Sequence, residues 1–127
     1  MELPLAYRWL KANGFGGLLP WYFIEPEQAD ALRKQYQAET GSDIIPFAQR
    51  QDNDDIAGFE VSEGQVKQAV NTTHLSWTGK REQQGWLRSQ RSEDIFEWLS
   101  NTVLPATKDW MNEAELRDLL EENKSSR

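Results

Sequence analysis

The chain has 127 residues, a formal net charge of −7 and no cysteine. That length suits one hydrophobic core and leaves a second domain undersized, and the missing thiols exclude disulfide frameworks, thiolate zinc sites and cysteine nucleophiles. The negative charge opposes binding to phosphate backbones, so nucleic acid is not an expected partner.

Hydrophobic residues make up 38% of the chain, and six tryptophans, five phenylalanines and three tyrosines supply large core side chains without help from a metal or cofactor. The segment Met1-Glu2-Leu3-Pro4-Leu5 has no basic leader start. The longest uncharged stretch, Ala12 to Ile24, is glycine-rich and shorter than the ~20 residues a membrane helix needs. The expectation is a cytoplasmic protein with no membrane anchor.

In chain order, Leu3, Ala6, Tyr7 and Leu10 share one helical face, and Asn13-Gly14 ends that helix. Leu18 to Ile24 is an apolar, aromatic run that fits either an extended segment or a helical turn. Glu25-Pro26-Glu27 opens a second helix, with Ala29, Leu32 and Tyr36 on one side and an end near Thr40-Gly41.

Asp43 to Gln49 and Ile56 to Val61 are rich in β-branched and aromatic residues, and Asp52-Asn53-Asp54-Asp55 between them is turn-forming, so the segment predicts a hairpin. Pro46 cannot donate a ladder hydrogen bond, which places it on an edge strand or at a bulge. Val66 to Val70 and Gly85 to Arg88 read as a third and a fourth strand. Ser92 is the expected N-cap of a helix carrying Ile95, Phe96, Leu99 and Val103 on one face, which Pro105 is expected to stop. Asn112 and Glu115 form a capping box for a last short helix with Leu116, Leu119 and Leu120. The fold class is α+β: about four strands flanked by N-terminal and C-terminal helices.

Acidity is concentrated. Between Asp52 and Glu63 there are five acids and no base, whereas Lys67 to Arg91 holds five bases and one acid, Glu82. Strands drawn from these two segments would partly neutralise each other. The acidic turn has three readings: a solvated hairpin turn, a surface for a basic partner, or a hard-cation site. An EF-hand loop started at Asp52 fails where Ile56 occupies the fifth ligand position and Ala57 the glycine position. No metal site is therefore expected there. His74 is the only histidine and follows Asn71-Thr72-Thr73 in what reads as a loop, without the spacing of a nucleophile relay or a zinc motif. Among the tryptophans most belong to the core by their usual burial, and Trp77, beside a polar loop, is the candidate for an exposed anchor.

The order of Ile44-Ile45-Pro46-Phe47-Ala48, the acid-rich turn Asp52-Asn53-Asp54-Asp55, and Ile56-Ala57-Gly58-Phe59-Glu60 resembles the central signature of the SUKH superfamily. Ser92-Glu93-Asp94-Ile95-Phe96-Glu97-Trp98-Leu99 resembles its closing helix. That superfamily groups fungal cell-wall synthesis regulators with bacterial immunity proteins. The two matches cover about half of the chain. The family's usual order of a Leu-Pro helix followed by an Asn-Gly-Gly loop is not kept, since Asn13-Gly14 and Gly16-Gly17 precede Leu19-Pro20 here. The resemblance implies a twisted, mainly antiparallel sheet and a non-catalytic module without cofactor that neutralises a toxin domain with a basic surface. Partner-binding residues expected from the acidic segment and the tryptophan beside the polar loop are Asp52, Asp54, Asp55, Glu60, Glu63 and Trp77. The rival readings are an acid-dependent or metal-dependent hydrolase, and a regulatory scaffold that neutralises no toxin.

Overall fold

The structure, a computed structural model, describes residues 2–53, 55–76, 85–111, 116 and 118–120. It is an α+β domain whose five strands pair antiparallel in chain order, β1-β2-β3-β4-β5. The strands are β1 (Trp21–Phe23), β2 (Ile44–Arg50), β3 (Ile56–Ser62), β4 (Gln65–Ser76) and β5 (Gly85–Ser92). The sheet thus has one strand more than the four expected. The addition is β1, formed by the apolar run whose conformation the sequence leaves open.

Helix α1 (Leu5–Ala12) ends where Asn13 donates from both its backbone N–H and its side-chain Nδ2 to the Trp9 carbonyl, at 3.1 and 2.9 Å. Helix α2 (Pro26–Thr40) begins on a proline, whose missing N–H costs nothing in a first turn, and ends on Gly41 in the left-handed region at φ 74°. Both helices match the sequence expectation.

Pro46 lies at a register shift between Pro46 and Ala48, and outside the Ala48 to Arg50 stretch that β1 pairs with, where β2 tolerates a residue without an N–H. Opposite Pro46 stands Gly58, where an added Cβ would come within 2.8 Å of the Ile44 Cδ1. Strand β4 is longer than expected and takes in Asn71, Thr72, Thr73 and His74, which the sequence reads as a loop. The reason is packing. Val70, Thr72 and Thr73 are β-branched and buried, and their backbone pairs on both sides with β3 and β5.

One face of the sheet carries the main core: Tyr7 from α1 with Trp21, Phe47, Phe59 and Val70 from the strands, closed by Ile95, Trp98 and Val103. Phe47 and Phe59 stack at 4.4 Å between ring centroids, and Trp98 meets Trp21 edge to face at 5.4 Å and Phe47 at 5.0 Å. The other face is covered by α2, with Tyr36 and Leu32 against Ile44 and Ile56.

The C-terminal helical run differs from expectation at both ends. Its N-cap is Asp94, whose Oδ1 accepts the Glu97 N–H at 2.9 Å, while Ser92 is the buried last residue of β5. Nor does Pro105 stop it. Helix α3 (Ile95–Trp98) passes through a π-helical segment (Leu99–Val103) into α4 (Leu104–Trp110), and the Leu104 N–H bonds the Leu99 carbonyl. The widened turn carries the helix past the donor that Pro105 lacks. The Asn112 and Glu115 capping box lies outside the described residues. Leu116 and residues 118–120 are helical. No helix among the described residues is long and apolar enough to cross a membrane.

Candidate partner-binding surface

The loop from Gln51 to Asp55 closes the β2–β3 hairpin and is tied down by backbone bonds. The Arg50 N–H donates to the Asp55 carbonyl at 2.8 Å, and the Gln51 N–H to the Pro20 carbonyl at 2.9 Å. Inside the loop the Asn53 side-chain oxygen accepts the Asp55 N–H at 3.0 Å, the local turn that Asn favours.

The carboxylates of this loop are not alike. Arg50 grips Asp52 through Nε and Nη2, at 2.6 and 3.0 Å, and this hydrogen-bonded guanidinium holds the Asp52 carboxyl below its ordinary value. Asp55 is half-buried. Burial pushes its carboxyl up, against the opposing pull of the charges on His74 and Arg50. His74 on β4 is thus an electrostatic neighbour of the loop, a role its sequence position did not suggest. Asp54 and Trp77 lie outside the described residues.

Glu60 and Glu63 belong elsewhere. Glu63 and Gly64, with φ of 54° and 73°, form the two-residue turn between β3 and β4, where the positive φ pair fits strand twist. At ~3.3 Å per residue, β3 places Glu63 on the order of 25 Å from Asp55, at the opposite end of the sheet. The acids clustered in sequence therefore form two separate groups in space.

Glu60 lies nearer the second end, on the face covered by α2. It receives Arg91 from β5 through Nε at 3.1 and 3.3 Å, while Arg91 Nη1 reaches Glu93 at 3.1 Å. This is the neutralisation across strands expected from the charge pattern. Close by, Arg33 of α2 binds both oxygens of Asp43, at 2.8 and 2.7 Å, and the guanidinium lowers the Asp43 carboxyl in spite of partial burial. Asp43 and Glu60, with Tyr36, Ser42 and Asn71, line an open groove of about 440 Å³. Asp43 is a groove residue that its place in the sequence does not single out, although Arg33 ten positions earlier on a helix is the kind of partner such an acid needs. Among the described residues no group of three or more His, Cys, Asp and Glu could hold a metal ion.

The tryptophans divide. Trp21 and Trp98 are buried, but Trp9, grouped by its residue type with the core, is 60% exposed. Phe96, expected on the buried helical face, is 52% exposed because it is turned a residue away from the Ile95 and Trp98 side.

Comparison with protein-family models, curated proteins and solved structures finds no match for this chain.

Proposed function

We propose that the chain is a non-catalytic protein-binding module and, within that class, an immunity protein that neutralises a toxin domain through an acidic surface, as the likeness to SUKH sequences implies. The supporting observation is the pinned loop between β2 and β3. Residues 50–55 carry three carboxylates against one guanidinium. The backbone bonds from Arg50 and Gln51 fix where Asp52 and Asp55 are presented. A preformed loop loses little conformational freedom when a partner binds, and negative charge at a sheet rim steers a basic cleft toward it.

Co-expression with toxin domains encoded beside this chain's gene tests the reading. Restored growth and a stable complex are expected, and the combined Asp52→Asn, Asp54→Asn and Asp55→Asn variant should associate about tenfold more slowly at low salt. Growth arrest without a complex would overturn neutralisation. An association rate that the triple variant leaves unchanged at low salt would overturn acidic steering.

A further inference from the structure

Past the end of β1 the edge of β2 lies open. β1 pairs only with Ala48 to Arg50, so Ile45, Pro46 and Phe47 run on beyond it, and the chain leaves for α2 where the Ile24 N–H bonds the Phe47 carbonyl at 3.0 Å. These three residues floor a groove of about 210 Å³ between α1 and the first turns of α2. Sites for drug-sized ligands run to ~300–1,000 Å³, so this one suits a molecule as small as a single amino acid.

Tyr7 lines the groove and is only 5% exposed, its ring held by Phe23, Phe47 and Phe59 with centroids 4.9, 5.5 and 5.9 Å away. Its hydroxyl makes no hydrogen bond to a described residue and is not sealed in the core, so it opens on the groove. A buried tyrosine usually finds a partner for that group. Burial pushes the phenol up, which keeps it a protonated donor at neutral pH. Lys11 follows one turn later at i+4, shares a helical face with Tyr7 and also lines the groove. It takes part in no ion pair among the described residues.

Across from them on α2, Asp30 lines the same groove, and its neighbour Arg33 is committed to Asp43. The charge of Glu25 is also felt at Tyr7. Two acids this close disfavour a bare anion, whereas a ligand that brings its own ammonium meets charges of both signs. We infer that the groove binds a free α-amino acid with an apolar side chain, because an unpartnered buried tyrosine, a lysine and an opposed aspartate converge on an apolar floor. Tyr7 and Lys11 hold the carboxylate, Asp30 holds the ammonium, and the side chain lies on Ile45, Pro46 and Phe47.

Isothermal titration calorimetry of the full chain with L-leucine and L-phenylalanine tests this. One-to-one binding in the micromolar to millimolar range is expected, and no saturable heat from either up to about 10 mM overturns it. N-acetyl-leucine lacks the ammonium and leucinamide the carboxylate, and each should bind about tenfold more weakly than leucine. If N-acetyl-leucine matches leucine, the groove takes a peptide C-terminus or a plain carboxylic acid. If leucinamide matches it, the groove takes a peptide N-terminus or an amine, and either result overturns the free amino acid. Glycine has no side chain to lay on the floor, and binding equal to leucine would overturn the apolar preference. Tyr7→Phe keeps the ring and removes only the hydroxyl. It and Asp30→Asn should each weaken leucine about tenfold while circular dichroism stays unchanged. Binding that neither variant weakens lies elsewhere and overturns the assignment.

Discussion

Arg50 and Asp52 close a two-pronged ion pair across the single residue Gln51, with Nε to Oδ1 at 2.6 Å and Nη2 to Oδ2 at 3.0 Å. Both side chains keep about a quarter to a third of their surface in water, which screens the pair and limits its worth. Asp52→Asn should therefore cost only ~0.5 kcal/mol in a urea titration at neutral pH. A loss several times larger would show that the pair holds the hairpin together, and that its first role is structural.

The acid limb of the stability curve should carry two opposed contributions. Asp43 is held below its ordinary value by Arg33, so its stabilising contribution is present above the unfolded carboxylate value of ~3.9 and is lost as pH falls through the lower folded value. Asp55 is raised by burial, so folding favours its protonated form. Its contribution is present below ~3.9 and disappears as pH rises through the higher folded value. Asp55→Asn should accordingly raise the denaturation midpoint at pH 7 and flatten the curve just above pH ~4, whereas Asp43→Asn should lower the neutral midpoint and remove the loss below ~4. Midpoints measured across pH 3 to 8 for both variants give the check. Parallel curves for Asp55→Asn and the parent would exclude the assignment.

Gly58→Ala tests how closely β2 and β3 approach. The new methyl would meet Ile44 Cδ1 at 2.8 Å and the Ile45 carbonyl at 3.1 Å, inside a strand with neighbours on both sides. The expected loss is ~1–3 kcal/mol, the usual cost of forcing extra volume into a filled interior. A neutral result would mean that Ile44 swings aside without penalty.

The first two helices were the legible part of the sequence, because Pro26 and Gly41 announce the ends of α2 in local chemistry and Leu3, Tyr7 and Leu10 repeat at helical spacing. The hairpin was legible for the same reason, with turn formers between two β-branched runs. β1 was not, since Leu18 to Ile24 shows no alternation and becomes a strand only because β2 lies beside it. Thr72, Thr73 and His74 look like loop residues until their pairing with neighbouring strands is known. The spread of the candidate acids was hidden for a geometric reason. Sequence proximity joined Asp52 to Glu63, but an extended strand lies between them and carries them apart. Exposure of Trp9 was equally hidden, because the helical face that includes Tyr7 turns it outward.

The cap of the C-terminal run offers a contrast between two neighbours. Asp94→Ala removes the oxygen that accepts the Glu97 N–H and should cost ~1 kcal/mol. The Ser92 hydroxyl is buried with no hydrogen-bond partner among the described residues, so Ser92→Ala should be neutral or slightly stabilising. Thermal denaturation of the two variants separates them, and equal losses would contradict the placement of the cap at Asp94.

Pairing of strands in chain order bears on how the protein reaches its native state. Three of the four strand pairs join segments that follow each other directly, so closing them costs little chain entropy and can proceed hairpin by hairpin. The exception is β1, which must find β2 across residues 24–43, with α2 in between. It should dock last during refolding and open first in native exchange. Pulse-labelled amides of Trp21 to Phe23 that gain protection later than those of β3 and β4 would bear this out, and simultaneous protection would refute it.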